Sequence, residues 1–141
     1  MNQTPAPNRC RIVLIASPRM PAERVAAALS GGDVASLILT ADGADEAAFQ
    51  AFAERVAPGA QAAGVAVVIG GDSRIARRIH ADGLHVEAGK DELADAIGRH
   101  QARMMVGAGG AKTRDEALEL GEERPDYIFF GRFGYDTKPE P

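Results

Sequence analysis

The stretch Asp126-Tyr-Ile-Phe-Phe-Gly-Arg-Phe-Gly-Tyr-Asp-Thr-Lys-Pro139 carries the strongest fold signal in this chain. A hydrophobic strand over 127–130 breaks at Gly131 and hands over to a loop ending in Thr137-Lys138-Pro139. A hydroxyl and an ammonium at the carboxyl end of a buried strand suit a phosphorylated small molecule. Upstream, Ala81-Asp-Gly-Leu-His-Val86 is a second strand entry of related design.

Outward from these two segments the chain repeats one rhythm, short apolar runs alternating with alanine-rich amphipathic segments. Strands are expected over 11–16, 34–39, 65–69, 84–86, 104–106 and 127–130. Their both-sided apolarity fits parallel strands covered on two faces. Helices are expected over 21–29, 45–57, 73–80 and 91–100. Pro21 suits a first turn; Phe49, Phe52 and Val56 recur at helical spacing. A fifth helix starts at the capping box Thr113-Arg-Asp-Glu116, in which Thr and Glu satisfy free amides, and ends near 121. Six strands and five helices in alternation imply parallel pairing and right-handed crossovers. Two architectures meet that description: a β/α barrel and an open doubly wound sheet.

With 141 residues, 45% of them hydrophobic, the chain can build one real core, and no linker divides it. The formal charge of −4 and the lack of a Lys/Arg stripe argue against a nucleic-acid partner. Arg74, Arg77 and Arg78 read as one solvated helix face. A single cysteine, Cys10, precludes an internal disulfide and reads as a buried, inert thiol. The start Met-Asn-Gln-Thr-Pro-Ala-Pro-Asn is not a signal peptide, and no apolar run approaches the roughly 20 residues of a membrane span. A cytoplasmic protein without a membrane partner is expected.

In barrels and open parallel sheets functional groups gather at the carboxyl ends of strands. That rule selects Asp72 after the third strand and His85, Glu87, Lys90 and Asp91 after the fourth. Gly109, Gly110 and Lys112 follow the fifth, and Arg132, Thr137 and Lys138 the sixth. Carboxylates from two loops beside cations from two others fit a magnesium-plus-phosphate site, since magnesium is commonly held by one or two carboxylates and substrate oxygens. Asp72 and Asp91 also stand where helix N-caps belong, and His85 could be a satisfied interior histidine. Gly107-Ala-Gly-Gly-Ala-Lys-Thr113 misses the nucleotide-triphosphate loop, with Val106 and Ala111 where glycines are needed. A glycine-rich turn before a helix can still hold a phosphate through its amides.

Ala81-Asp-Gly-Leu-His-Val86, together with Gly131-Arg-Phe133 leading to Asp136-Thr-Lys138, resembles the thiamine-phosphate synthase family and its thiazole-tautomerase relatives. The resemblance implies a (β/α)8 TIM barrel, truncated here to about six strands and five helices. Residues 1–141 would form one such domain, lacking the two C-terminal β/α units. It implies an enzyme that joins hydroxymethylpyrimidine pyrophosphate to thiazole phosphate, with small phosphorylated substrates and Mg²⁺ held by Asp72 and Asp91. Thr137 would contact phosphate and Lys138 would neutralise pyrophosphate, with His85 as a further catalytic candidate. The sequence departs from the family at strand two, where active synthases place Gln, Arg and Lys at alternate positions and this chain offers Leu37, Leu39 and Ala41. That departure keeps two alternatives open: a tautomerase-like isomerase using His85 or Glu87 as acid/base, and a degenerate barrel that only binds a phosphorylated ligand. A complete barrel takes about 200 to 250 residues. The chain is therefore expected either to be a piece of a longer one or to form homo-oligomers through its exposed barrel edges.

Overall fold

Six parallel strands lie side by side in the order in which the chain makes them, and that order decides between the two architectures. A doubly wound sheet reverses direction at a switch point; a singly wound β/α barrel does not. The computed structural model describes residues 10–131. Its strands are β1 (Ile12–Ala16), β2 (Val34–Leu39), β3 (Ala66–Gly70), β4 (Gly83–Val86), β5 (Met105–Ala111) and β6 (Ile128–Phe130). Between them run α1 (Ala22–Ser30), α2 (Glu46–Ala62), α3 (Ser73–Arg78), α4 (Lys90–His100) and α5 (Arg114–Glu122). Among the described residues this is an arc of a barrel, with β1 and β6 as its two edges.

Strand alternation sorts side chains into two faces. Leu37, Leu39, Val67, Ile69, Leu84 and Val106 join Phe49, Ala53, Ile75 and Leu93 in the core under the helices. Ile38 and Val68 are equally buried on the opposite, inner face. Removing a side chain such as Ile75 or Leu93, both 0% exposed, would cost about 2–5 kcal/mol through lost burial and a cavity.

Several local outcomes differ from the sequence reading, each for a visible reason. Helix α2 runs through Pro58 to Ala62, five residues beyond the expected end. Burial of Ala57 and Ala60 against the sheet offsets the hydrogen bond that proline removes. Helix α3 stops at Arg78, because His80 turns to a φ of +56°. Strand β5 continues through the glycine run expected to be a loop. Cys10 is exposed rather than buried; it precedes an edge strand whose Ile12 and Val13 are themselves exposed.

The amino ends of two strand pairs are held by the same device. The Asp82 carboxylate accepts the Val67 amide at 2.8 Å, and its own amide donates to the Val67 carbonyl at 2.7 Å. Asp126 repeats this on Val106, at 2.7 and 2.8 Å. A glutamine closes each clamp: Gln61 donates to the His80 carbonyl and Asp82, and Gln101 to the Arg124 carbonyl and Asp126. His80 and Arg124, each two residues before its aspartate, share positive φ. The Asp-Gly and Asp-Tyr entries thus have a structural role at the pole away from the strand tips.

Candidate active site

The inner face of β4, β5 and the approach to β6 carries a buried polar chain. His85 is 2% exposed, yet both ring nitrogens are partnered. Its Nδ1 lies 2.7 Å from the Tyr127 hydroxyl and its Nε2 lies 3.0 Å from Glu87 Oε1. A carboxylate can only accept, so Nε2 carries the proton and the Tyr127 O–H donates to Nδ1. Burial pushes the His85 pKa down, against the opposing hydrogen bond and charge of Glu87, which favours this neutral tautomer. Burial, then the charges of Glu87 and Asp126, push the Tyr127 phenol well above its usual range, so it stays a donor.

The glycines of β5 make this chain possible. His85 on β4 and Tyr127 just before β6 flank β5 on its two sides and stack with ring centroids 5.6 Å apart. A Cβ at Gly107 would fall inside the Tyr127 ring, and one at Gly109 would stand 2.7 Å from His85 Nε2 and 2.9 Å from Glu87 Oε1. Phe129 closes the cluster, 4.8 Å from Tyr127 and 5.8 Å from His85 by ring centroids. The glycine run therefore provides space, and the reading of it as a phosphate-holding loop is modified. Gly110, at φ +87° beside the register shift of β5 against β6, commits its amide to the Gly131 carbonyl at 2.8 Å. The Lys112 amide is likewise taken, by Glu116 at 2.7 Å, while Thr113 accepts the Glu116 amide at 3.1 Å. Lys112 can offer a ligand its side chain.

Glu87 is the exposed end of the chain, with 25% of its side chain accessible. It lines two adjoining cavities at the strand tips. One, of about 270 Å³, is bounded by Thr40, Asp42, Gly70, Gly71 and His85. The other, of about 460 Å³, includes Gly109, Gly110, Lys112, Lys90 and Glu116. Lys90 also reaches Glu122 at 3.6 Å, tying α4 to α5.

At strand two the structure corrects a register. Leu37 and Leu39 are 0% exposed and belong to the helix-facing core. Alternation makes Ile38 and Thr40 the inward positions, with Asp42 reaching the cavity from the following turn. The one-residue slip reverses the face of every side chain. Asp42 is joined by two groups from the loop after β1: Ser17 donates to it at 3.2 Å, and Arg19 pairs with it at 3.1 Å. Sequence reasoning missed Ser17, Arg19, Thr40, Asp42 and Tyr127. The positions of Ser17, Arg19, Thr40 and Asp42 just past strand tips could have flagged them; Tyr127, which precedes its strand, carries no such signal.

Asp72 caps α3 through Oδ1, accepting the Arg74 and Ile75 amides at 3.0 and 3.1 Å. Asp91 lies exposed in the first turn of α4, whose cap is Gly89. These are hard oxygen donors at the starts of successive helices, which suits magnesium in kind. Among the described residues no group of three His, Cys, Asp or Glu is arranged to hold a metal ion. Arg132, Thr137 and Lys138 lie outside the described residues.

A singly wound β/α arc with its polar groups collected at the strand tips defines the class of β/α barrels with a carboxyl-end site. Within that class the chain belongs to the thiamine monophosphate synthase family, which matches residues 12–141. It is 33% identical over 152 residues to thiamine-phosphate synthase of Hyphomonas neptunium, covering 99% of this chain and 68% of that protein. With thiamine-phosphate synthase of Rhodospirillum centenum it shares 33% identity over 136 residues, 94% of this chain and 66% of the relative. Thiamine phosphate pyrophosphorylase from Pyrococcus furiosus has a similar fold, with a TM-score of 0.74 at 18% identity, over 85% of this chain and 59% of that one. The chain thus spans about two thirds of the length of the curated relatives it matches.

Proposed function

We propose that this chain serves thiamine-phosphate synthesis, joining hydroxymethylpyrimidine pyrophosphate to thiazole phosphate with release of pyrophosphate. The observation that carries the reading is the Tyr127–His85–Glu87 chain opening on paired cavities beside Lys112, in a member of this family. In such a displacement the protein's main contribution is positioning and stabilisation of developing charge. Lys112 and Lys138 are the cations assigned to the anionic groups, with Thr137 as a hydroxyl donor and Gly109 and Gly110 as the space against which the ligand lies. Asp72 and Asp91 are assigned to Mg²⁺, which when bound would neutralise charge on the leaving pyrophosphate. Glu87, oriented by His85, fixes the polarity of the mouth between the two cavities. The substrates are small phosphorylated molecules, and the compartment is the cytoplasm. No helix among the described residues is long and apolar enough to cross a membrane.

The neutral His85 and its carboxylate partner are also equipped for proton transfer, the chemistry of a thiazole tautomerase. Both curated relatives are thiamine-phosphate synthases by name, which favours neither that alternative nor a degenerate binder. The test is an assay of thiamine phosphate formed from the two substrates with Mg²⁺ present. Turnover that drops on Lys112→Ala supports the synthase; phosphate-ester binding without turnover rejects it.

A further inference from the structure

At the pole opposite the strand tips, a cavity of about 600 Å³ opens between the last turns of α3 and α4. Arg77 and His80 reach it from one side, Arg99 and His100 from the other, and Arg103 from the turn before β5. Among the described residues no carboxylate lines it, although the whole chain carries a formal charge of −4.

The helix dipole accounts for part of this, since cations are favoured at helix carboxyl ends. It does not account for how they are partnered. On the far side of α3, Arg78 and Arg74 both pair with Glu46, at 3.2 and 3.5 Å. Arg99 is paired along its own helix with Asp95 at 3.0 Å. Arg77 and Arg103, which face the cavity from two elements, have no carboxylate within ion-pair distance among the described residues. Two guanidinium groups that line one cavity with no carboxylate paired to them leave positive charge that a small anion there would neutralise. The planar fork of arginine matches phosphate oxygens two at a time. The volume lies inside the range of about 300–1,000 Å³ usual for small-ligand clefts.

We propose that this basic cavity is a second anion site, one that takes a small, multiply charged phosphate of the pyrophosphate class. It is separate from the mouth at Glu87 and Lys112, and it does not depend on the synthase reading.

The probe is inorganic pyrophosphate, titrated calorimetrically into the whole chain and four variants. Lys112→Ser alters the mouth and should leave one saturable pyrophosphate site intact. Combined Arg77→Ser and Arg103→Ser should weaken that remaining site by about tenfold or more, the loss expected for charge-assisted hydrogen bonds. Both arginines are exposed, so the variant should keep the parent circular dichroism spectrum. Arg55→Ser, on α2, should change nothing, and Arg77→Lys with Arg103→Lys should recover part of the affinity. The proposal is overturned if Lys112→Ser alone abolishes all pyrophosphate binding. It is equally overturned if the arginine pair matters only for a long polyanion such as heparin while pyrophosphate fails to bind.

Discussion

Tyr127 and His85 meet across the bare backbone of Gly107, the phenol donating to Nδ1 at 2.7 Å with the rings 10° from parallel. The two residues are 42 positions apart in the chain, and the missing side chain between them is as necessary as either ring. Replacing Tyr127 with Phe would leave the stacking and remove the donor. The buried Nδ1 would then lack a partner, which costs about 1–3 kcal/mol. The neutral imidazole would lose a bond that favours it, so the His85 pKa should move upward from its depressed position. Nitrogen-15 NMR of the imidazole checks both the tautomer and the shift; an unchanged His85 spectrum would contradict the assignment.

The two glycines of the inner face should respond to a methyl group far more severely than a glycine elsewhere. Gly107→Ala drives a Cβ into the Tyr127 ring, and Gly109→Ala drives one against His85 and Glu87. Overpacking of this kind costs about 1–3 kcal/mol, sometimes more. Gly59, inside α2, has nothing within 4 Å of an added Cβ, so Gly59→Ala should stabilise by about 0.5–1 kcal/mol through helix propensity. Urea midpoints of the three variants test this, and equal effects would sink the packing argument.

These particulars explain what was legible in the sequence. Alternating apolar runs and amphipathic segments are a direct record of burial, so all six strands and five helices are recoverable from them. Hydrophobic periodicity fails where burial is achieved without side chains, and Met105–Ala111 was shortened for that reason: its inner residues are glycines covered by rings from other strands. The face of β2 was misjudged because an all-apolar strand buried on both sides gives no polar residue to set its phase. The position of His85 at a strand tip marks it in the sequence, whereas Asp72 at the next tip caps α3, and Tyr127 carries no mark separating it from an ordinary strand aromatic.

Stability should fall on acidification through one identified group. His85 has a folded-state pKa depressed below the usual 6.5, so above 6.5 folded and unfolded chains both hold it neutral and its contribution is fully present. Below 6.5 the unfolded chain takes up a proton that the folded chain refuses, and stability declines until the folded pKa is passed. Tyr127 works in the opposite direction: with its folded pKa raised, stability is lost as pH climbs above about 10, where the unfolded phenol ionises first. Denaturation midpoints measured from pH 4 to 7 should flatten in His85→Gln, and a parallel pH dependence in wild type and variant would remove His85 as the cause.

The two aspartate clamps offer a test of how independent the strand pairs are. Asp82 and Asp126 bond different amides, through different glutamines, at different strand pairs. Hydrogen bonds to a charged acceptor are worth about 1.5–3 kcal/mol each, and sites with no shared partner usually add to within about 0.5 kcal/mol. Asp82→Ala and Asp126→Ala should therefore each destabilise by that amount, with the double variant close to the sum. Both clamps lie at the amino ends, so the Tyr127–His85–Glu87 geometry should survive whichever single clamp leaves the chain folded. A double variant much less destabilised than the sum would mean that the arc loosens as one cooperative unit once either end is released.

The edges of the arc should govern self-association. Ile12 and Val13 on β1 are 51% and 38% exposed, and Phe130 on β6 is 69% exposed, while among the described residues no further strand pairs with the outer side of either edge. Long apolar edges invite pairing with another chain, and lysine on an edge strand is a common deterrent. Light scattering of this chain should show self-association that declines in Val13→Lys and in Phe130→Lys. Both substitutions lie outside the helix-facing core, so thermal stability should change little. A concentration-independent monomer in the unsubstituted chain would eliminate edge pairing as a property of the arc.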